Sequence, residues 1–460
     1  MFDSQDEGQT YVDRYKANIL ADGSTVVAER VSFAPQPQSA MTIIDQHTGY
    51  VKAIIGGRGT KTASLTLNRA TDSTRQPGST FKIVSTYAAA LNEKGMTLAT
   101  TYEDQPITYD NGAPVNNASG SFNGTTTIRT AIRNSVNTVA VQCFEDVTPE
   151  LGLKYLDNFG FTTLAHGTEA DTDANGNVYT DANLPTALGG LTYGVKNVEL
   201  CAAYAAIANG GNYIKPVYYT KILDHNGNVL IENNSVGRSV IKETTAYLLT
   251  SALEDVVQNG TGTACQLDNM AVAGKTGTTD AYNDLWFVGY TPYYTCAVWS
   301  GYDGNQKIPE GDARNFHKTL WRKVMNRIHQ GMEYKDFEVP DGIEQISICA
   351  DTGLLPRVGC PVTEEYFDVG TMPTEYCDQH FYEYDESQDE DMEIYDVNAT
   401  PTPDPENPDG TDNTDGSGGD GTGGDGTGGD GTGGDGTGGG DIQYPDESGG
   451  DSGNDDIYYY

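Results

Sequence analysis

Ser79-Thr80-Phe81-Lys82, Ser135-Val136-Asn137 and Lys275-Thr276-Gly277-Thr278 are the stretches that decide this chain. Written as patterns they are S-x-x-K, S-x-N and K-T-G, the second beginning 56 residues after the first and the third 140 after the second. S-x-x-K occurs by chance in many helices, and loops are rich in Ser and Asn. Together and in this order, the three spell out a nucleophile, its base and a cationic clamp.

A serine hydroxyl is a poor nucleophile at neutral pH and needs a base within hydrogen-bond reach. Residues three apart share a helix face, so a helix beginning at Ser79 places Lys82 beside it. Pro77-Gly78 breaks the preceding chain, Phe81, Ile83, Val84, Tyr87, Ala88 and Leu91 recur with a helical period, and Lys94-Gly95 reads as a stop. Ser79 then lies at a helix N-terminus, where free N–H groups favour developing negative charge. Lys82 can act as base only when neutral, which desolvation or a nearby cation promotes. Ser135 and Asn137 lie between the apolar runs Ile128-Ala131-Ile132 and Val139-Ala140-Val141, on a loop expected to project into a cleft. There Ser135 would relay a proton and Asn137 would tether Lys82 or a substrate amide. Lys275 follows the apolar run Met270–Ala273 and Gly274, read as a strand lining the cleft. Its cation would favour neutral Lys82 and attract a carboxylate, with Thr276 and Thr278 as donors and Gly277 leaving room for a ligand backbone.

The same three patterns mark serine enzymes that acylate on peptide-like substrates and β-lactams. At these residues the chain resembles the penicillin-binding proteins, and within them the transpeptidase module of the bifunctional class A enzymes. The resemblance runs from about residue 39 to 382. Ile43-Ile44-Asp45 through Gly49–Ala53 is similar to the family's opening hairpin, and Arg75-Gln76-Pro77-Gly78 to its approach to the nucleophile. Ala187–Val195, Ala202-Ala203-Tyr204 and Ala208–Gly211 resemble its central helices, and Asp284–Tyr290 the strand after K-T-G. The resemblance implies a peptidoglycan D,D-transpeptidase acting on stem peptides that end in D-Ala-D-Ala. It implies Ser79 as nucleophile, Lys82 as base, Ser135 as proton relay and Asn137 as amide-binding residue. Lys275, Thr276 and Thr278 would clamp the carboxylate, and the N–H groups of Ser79 and Thr278 would form the oxyanion hole. β-Lactams would acylate Ser79. No cofactor and no catalytic metal are expected.

Class A enzymes also carry a membrane anchor and a glycosyltransferase module. Neither is visible here: the longest apolar stretches, such as Phe81–Leu91, are near 11 residues, where a span needs roughly 20. The expectation is a piece of a longer protein or another export route, an extracytoplasmic location at the bacterial surface, and membrane contact only through an upstream segment. Class A β-lactamases share the three patterns, but their deacylating glutamate belongs to an E-x-x-L-N segment that does not occur here. A β-lactam sensor or a lapsed binding module keeps the same strings and stays open.

Composition divides the chain. Of the net charge of −39, the stretch from Phe381 to Tyr460 contributes 23 acidic residues and no Lys or Arg, leaving −16 on the first 380 residues. That balance excludes a basic nucleic-acid footprint. Four copies of Gly-Gly-Asp-Gly-Thr run from Gly418 to Thr437, too apolar-poor to offset their ordering entropy. The expected organisation is a residual linker at 1–38, a transpeptidase domain at 39–335, a small Cys-containing extension at 336–382 and an acidic disordered tail at 383–460. Cys143, Cys201, Cys265 and Cys296 read as inert core residues. For Cys349, Cys360 and Cys377, an extracytoplasmic setting makes one disulfide the first expectation and free thiols the second. Cys377 and His380 also form a C-x-x-H pair, but zinc needs about four ligands, so a metal ranks third and none is assigned. Gly260–Thr263 lacks the Lys-Ser or Lys-Thr of a phosphate cradle and is set aside.

The fold class expected is α+β. An antiparallel sheet, built from the opening hairpin, the K-T-G strand and a hairpin turning at Thr291-Pro292-Tyr293, packs with helices beside an all-helical lobe from about 80 to 260.

Overall fold

The computed structural model describes residues 2–380, apart from positions 3, 22, 30, 32, 34, 62 and 63. The acidic tail expected at 383–460 lies outside the described residues. The segment read as linker holds a helix, α1 (Gln5–Ile19). Ser4 caps it, accepting from the Glu7 N–H at 3.2 Å, with Asp6 and Glu7 in the first turn and Lys16 in the last. Cap and end charges complement the helix dipole where no apolar stripe announces a helix.

β1 (Gln38–Asp45) and β2 (Tyr50–Ile55) are the arms of the opening hairpin, with a register shift between Ile43 and Ile44. The lobe follows: α2 (Ala88–Glu93), α3 (Ile128–Asn134), α4 (Asn137–Val147), α5 (Pro149–Asn158), α6 (Asn197–Ala208) and α7 (Glu243–Gln258). It is not purely helical. Thr101–Asp104 pairs with Gly124–Thr127, and Asn212–Ile214 with Gly237–Ser239, in two-stranded ribbons. These segments are too short for alternation to show, although the β-branched Thr125-Thr126-Thr127 suits a strand.

β3 (Ala273–Thr278), β4 (Asp284–Tyr290) and β5 (Thr295–Gly301) complete an antiparallel five-stranded sheet in the order β3-β4-β5-β1-β2. β4 and β5 turn where expected, the Thr291 N–H donating to Tyr294 O at 3.0 Å. Both strands are buried throughout, because helices cover both faces. On one face α6 is apolar all round and buried from Asn197 to Ile207. Its one buried amide is satisfied: Asn197 accepts from Thr42 Oγ1 at 2.6 Å and donates to Ala297 O at 3.2 Å. On the other face α8 (Phe316–His329) sets Trp321 and Met325 against Met41, Ile43, Phe287 and Val298. β6 (Ile343–Cys349) and β7 (Val362–Asp368) form a final hairpin with a core of its own around Ala99, Ile348 and Phe367. Among the described residues no helix is long and apolar enough to cross a membrane.

Candidate active site

The segment carrying Ser79 is helical from Gly78 to Glu93, but not uniformly α. Gly78–Thr80 is a 3₁₀ turn and Ile83–Tyr87 a π turn, followed by α2. The 3₁₀ turn carries Ser79 and ends before Lys82, which caps the π turn that follows. The turn is pinned from every side. Thr80 Oγ1 donates to Pro77 O at 2.9 Å, Tyr204 Oη to Thr80 O at 2.6 Å and Trp286 Nε1 to Gln76 O at 2.8 Å. Gln76 exchanges two further bonds with the Leu191 backbone, at 2.7 and 2.9 Å. Gly78 has φ +55°, and a Cβ on it would sit 2.8 Å from Thr278 O, so only glycine lets this turn press on the end of β3. Ser79 itself is half-buried.

Ser135 ends α3 in the left-handed region, at φ +58°, a conformation uncommon outside glycine. That kink turns the loop toward Lys82. The Lys82 ammonium donates to Asn137 Oδ1 at 2.6 Å, Ser135 O at 2.8 Å and Val136 O at 3.2 Å, with Ser135 Oγ at 3.4 Å. Lys82 is fully buried and these partners are neutral. Burial first, and the Lys275 charge second, hold its pKa well below the ordinary lysine range.

Behind the loop stands a polar network the motifs do not contain. Asp104 is buried at the end of its ribbon and accepts from Thr138 Oγ1 at 2.6 Å and Asn117 Nδ2 at 2.7 Å. The backbone and side-chain N–H groups of Asn123 add bonds at 2.9 and 3.0 Å. Asn117 Oδ1 accepts in turn from the Asn137 N–H at 2.8 Å, and Asn137 Nδ2 donates to Asn116 O at 2.6 Å. Asn137 is thus held at both backbone and amide, leaving its oxygen for Lys82.

In β3, Lys275 pairs with Val288 and Thr276 with Phe287 of β4. The strand starts at Ala273, later than the apolar run suggested, because Met270–Val272 is not part of the ladder. Lys275 is fully buried, its ammonium donating to Thr276 O at 3.3 Å, and burial pulls its pKa down to about 7. Thr276 Oγ1 lies 2.7 Å from Thr261 Oγ1, and Thr278 is exposed. Gly277 does not leave room for a ligand. A Cβ there would lie 2.5 Å from Pro77 O and 2.8 Å from Thr80 Cγ2, so its vacancy is filled by the turn that carries Ser79.

The eight residues of the three patterns therefore meet at one cleft between sheet and lobe. Lys82 joins Ser135 and Asn137 directly, and Gly78 and Gly277 bring the turn carrying Ser79 onto the strand carrying Lys275, Thr276 and Thr278. Beside Ser135 the cleft widens into a cavity of about 410 Å³, lined by Ser121, Asn134, Val136, Asn259 and Thr261 among others. The sequence did not single out Asp104, Asn117 or Thr261. The dismissed glycine-rich stretch is what carries Thr261 to the site: Gly260 packs against Arg133 O so closely that a Cβ would clash. Among the described residues, the thiol and imidazole groups able to gather round a metal lie away from this cleft, in the C-terminal extension.

Residues 39–326 match the penicillin binding protein transpeptidase domain, and residues 339–382 the C-terminal domain of penicillin-binding protein 1A. Penicillin-binding protein 1A of Clostridium tetani is 34% identical over 362 residues, covering 75% of this chain and 45% of that protein. The Clostridium novyi protein of the same name is 36% identical, covering 75% and 40%. The chain thus spans less than half the length of these relatives. Among solved structures, PonA1 of Mycobacterium tuberculosis in complex with penicillin V superposes with a TM-score of 0.58 at 26% identity, over 71% of this chain and 85% of that one. Penicillin-binding protein 1A of Haemophilus influenzae shares the fold with a TM-score of 0.63 at 24% identity, covering 75% and 55%. With a matching family model across most of its length, the chain belongs to the penicillin-binding protein transpeptidase family, as a transpeptidase module of the class A type.

Proposed function

We propose that this module cross-links peptidoglycan through an acyl-enzyme on Ser79. Ser79 Oγ attacks the penultimate carbonyl of a stem peptide ending in D-Ala-D-Ala, forming an ester and breaking the amide to the last D-Ala. Neutral Lys82 takes the hydroxyl proton, and Ser135 passes a proton to the departing amine. The N–H groups of Ser79 and Thr278 bind the carbonyl oxygen as it gains charge. The Lys275 cation, with the Thr276 and Thr278 hydroxyls, holds the terminal carboxylate. An amine from a second stem then attacks the ester, Lys82 taking its proton, and Ser79 is regenerated. Gly277 acts by letting the nucleophile turn approach.

The observation that carries this reading is the setting of Lys82. It is buried, bound to Ser135 and Asn137, and pushed toward its neutral form beside Lys275. A structural lysine in such a place would be expected to face a carboxylate instead. The reading includes a substrate-facing domain over 39–335, an extension over 336–382, a location outside the cytoplasm and membrane attachment through an upstream segment.

Intact-mass spectrometry after incubation with benzylpenicillin, wild type beside Ser79→Ala, tests it, followed by a D-Ala-D-Ala peptide with an amine acceptor. A lasting adduct on wild type alone, with peptide transfer, is expected. An adduct without peptide turnover would favour a sensor, and rapid release of hydrolysed drug a β-lactamase.

A further inference from the structure

We propose that Cys349, Cys360, Cys377 and His380 form a structural zinc site that fastens the C-terminal extension. The four come from three separate places: the end of β6, the turn before β7 and the segment after it. Yet three sulfurs and one imidazole nitrogen converge until all lie within 4.8 Å of one another. His380 Nδ1 stands 3.3 Å from Cys377 Sγ and 3.5 Å from Cys349 Sγ. Zinc–sulfur bonds of about 2.3 Å and zinc–nitrogen bonds of about 2.0–2.1 Å at tetrahedral angles put sulfur and nitrogen about 3.6 Å apart. Cys₃His is a common closed set for structural zinc.

The surroundings match. The other ring nitrogen, His380 Nε2, lies 3.2 Å from Asp351 Oδ2. A carboxylate on the outer nitrogen is the usual way a ligating imidazole is oriented. The Arg357 N–H donates to Cys360 Sγ at 3.2 Å, as suits a thiolate. The main chain holds two ligands beforehand: the Cys349 and Cys377 N–H groups donate to Leu354 O and Leu355 O, both at 2.8 Å.

The expected disulfide is not formed, since all seven cysteines are free. It would also explain less. Pairing two sulfurs strands the third and leaves the aim of His380 and Asp351 without a purpose. The extension needs a fastening of some kind. Its own core is three buried side chains, Ala99, Ile348 and Phe367, one of them borrowed from the lobe. Units that small depend on a staple, and for a structural metal the binding free energy is folding free energy. All four positions are filled by protein, so no open site for catalysis remains.

The test uses the full chain purified without added reductant, its intact mass taken first, then loaded with Zn²⁺, desalted and assayed for metal and free thiols, with Co²⁺ substituted in parallel. The expected result is one zinc per chain and a Co²⁺ spectrum with thiolate charge transfer and tetrahedral bands. Cys377→Ser should lose the tight zinc while benzylpenicillin still labels Ser79, showing that the core is folded. Asp351→Asn should keep zinc but bind it roughly 10–100-fold more weakly. Either of two wild-type results overturns the proposal: freely titrating thiols with no zinc retained, or a mass short by two hydrogens with a disulfide among the three. The wild-type measurements decide even if Cys377→Ser does not fold.

Discussion

Asp104 Oδ1 accepts from Asn117 Nδ2 at 2.7 Å, and Asn117 turns its own oxygen to the Asn137 N–H at 2.8 Å. One buried carboxylate thereby fixes the residue that receives the Lys82 ammonium. Removing the bridge by Asn117→Ala leaves the Asn137 N–H unpaired and the loop free to shift. A displacement near 1 Å at such a site costs up to about 10²-fold in rate, and an orphaned buried donor about 1–3 kcal/mol in stability. We expect slower acylation of Ser79 by benzylpenicillin at temperatures where the variant is fully folded. A lower melting temperature with an unchanged acylation rate would make the network purely structural.

Two buried lysines that share a cleft should give acylation a characteristic pH profile. Lys82 acts once it has lost its proton, so the rate rises as pH climbs through its depressed pKa. Lys275 attracts the carboxylate only while charged, and burial sets its pKa at about 7 in the free protein. The second-order rate of benzylpenicillin acylation should therefore fall again on an alkaline limb near that value. Lys275→Gln should lower the rate and remove that limb. Identical profiles in the two proteins would dissociate Lys275 from carboxylate recognition.

The same burial has a stability consequence of opposite sign to its catalytic value. With a folded pKa of about 7 against 10.5 for the free side chain, the unfolded state binds the extra proton between those two pH values. Stability then rises with pH across that window, and the cost of Lys275 is fully present below it. At about 1.4 kcal/mol per unit, burying this ammonium costs a few kcal/mol at neutral pH. Lys275→Met should melt higher than wild type near neutrality while losing acylation, with the gain shrinking toward pH 10.5. A variant less stable at every pH would show that the ammonium is better compensated than its one bond to Thr276 O indicates.

How much of this was open to sequence reasoning follows from which interactions are local. The three strings, the opening hairpin and the turn at Thr291-Pro292-Tyr293 are patterns of a few neighbouring residues, so they can be read locally; even so, Asn137 opens α4 instead of lying on a loop, and β3 begins only at Ala273. Asp104 is invisible in that way. It ends a four-residue ribbon strand, and its partners Asn117, Asn123 and Thr138 are joined to it only by folding. Thr261 lies 15 residues before the Thr276 it meets, in a stretch whose glycines suggested other chemistry. Helical periodicity found the Ser79 helix but not its 3₁₀ and π turns; the 3₁₀ turn sits where Gly78 presses on Thr278 of β3 and Thr80 O accepts from Tyr204 of α6.

Gly277 shows why a correct residue can carry the wrong reason. Strand glycines often admit a ligand, but here the space belongs to Pro77 O and the Thr80 methyl. Gly277→Ala should push the nucleophile turn away from β3 and cut Ser79 acylation by at least tenfold, with small and large β-lactams affected alike, roughly as expected for a shift of about 1 Å. If the glycine instead makes room for ligand, only bulky β-lactams should lose reactivity.

Arg129 extends the argument from the cleft to the C-terminal extension. It sits in α3, the helix that ends at Ser135, and its guanidinium forks onto Glu365 of β7 with two bonds of 2.6 Å. The same guanidinium donates to Ser251 O at 3.2 Å and Ser251 Oγ at 3.0 Å in α7. Glu365 is 2% exposed, and the pair is the bidentate kind whose geometry compensates desolvation. Breaking it from one side strands a buried charge, at a cost of about 3–5 kcal/mol. Glu365→Gln should therefore loosen the extension and expose the Arg357–Pro361 turn to limited proteolysis. Because α3 positions Ser135, acylation should slow as well, by less than in Asn117→Ala. Faster proteolysis with unchanged acylation would mean that the extension docks on the domain without bracing its site.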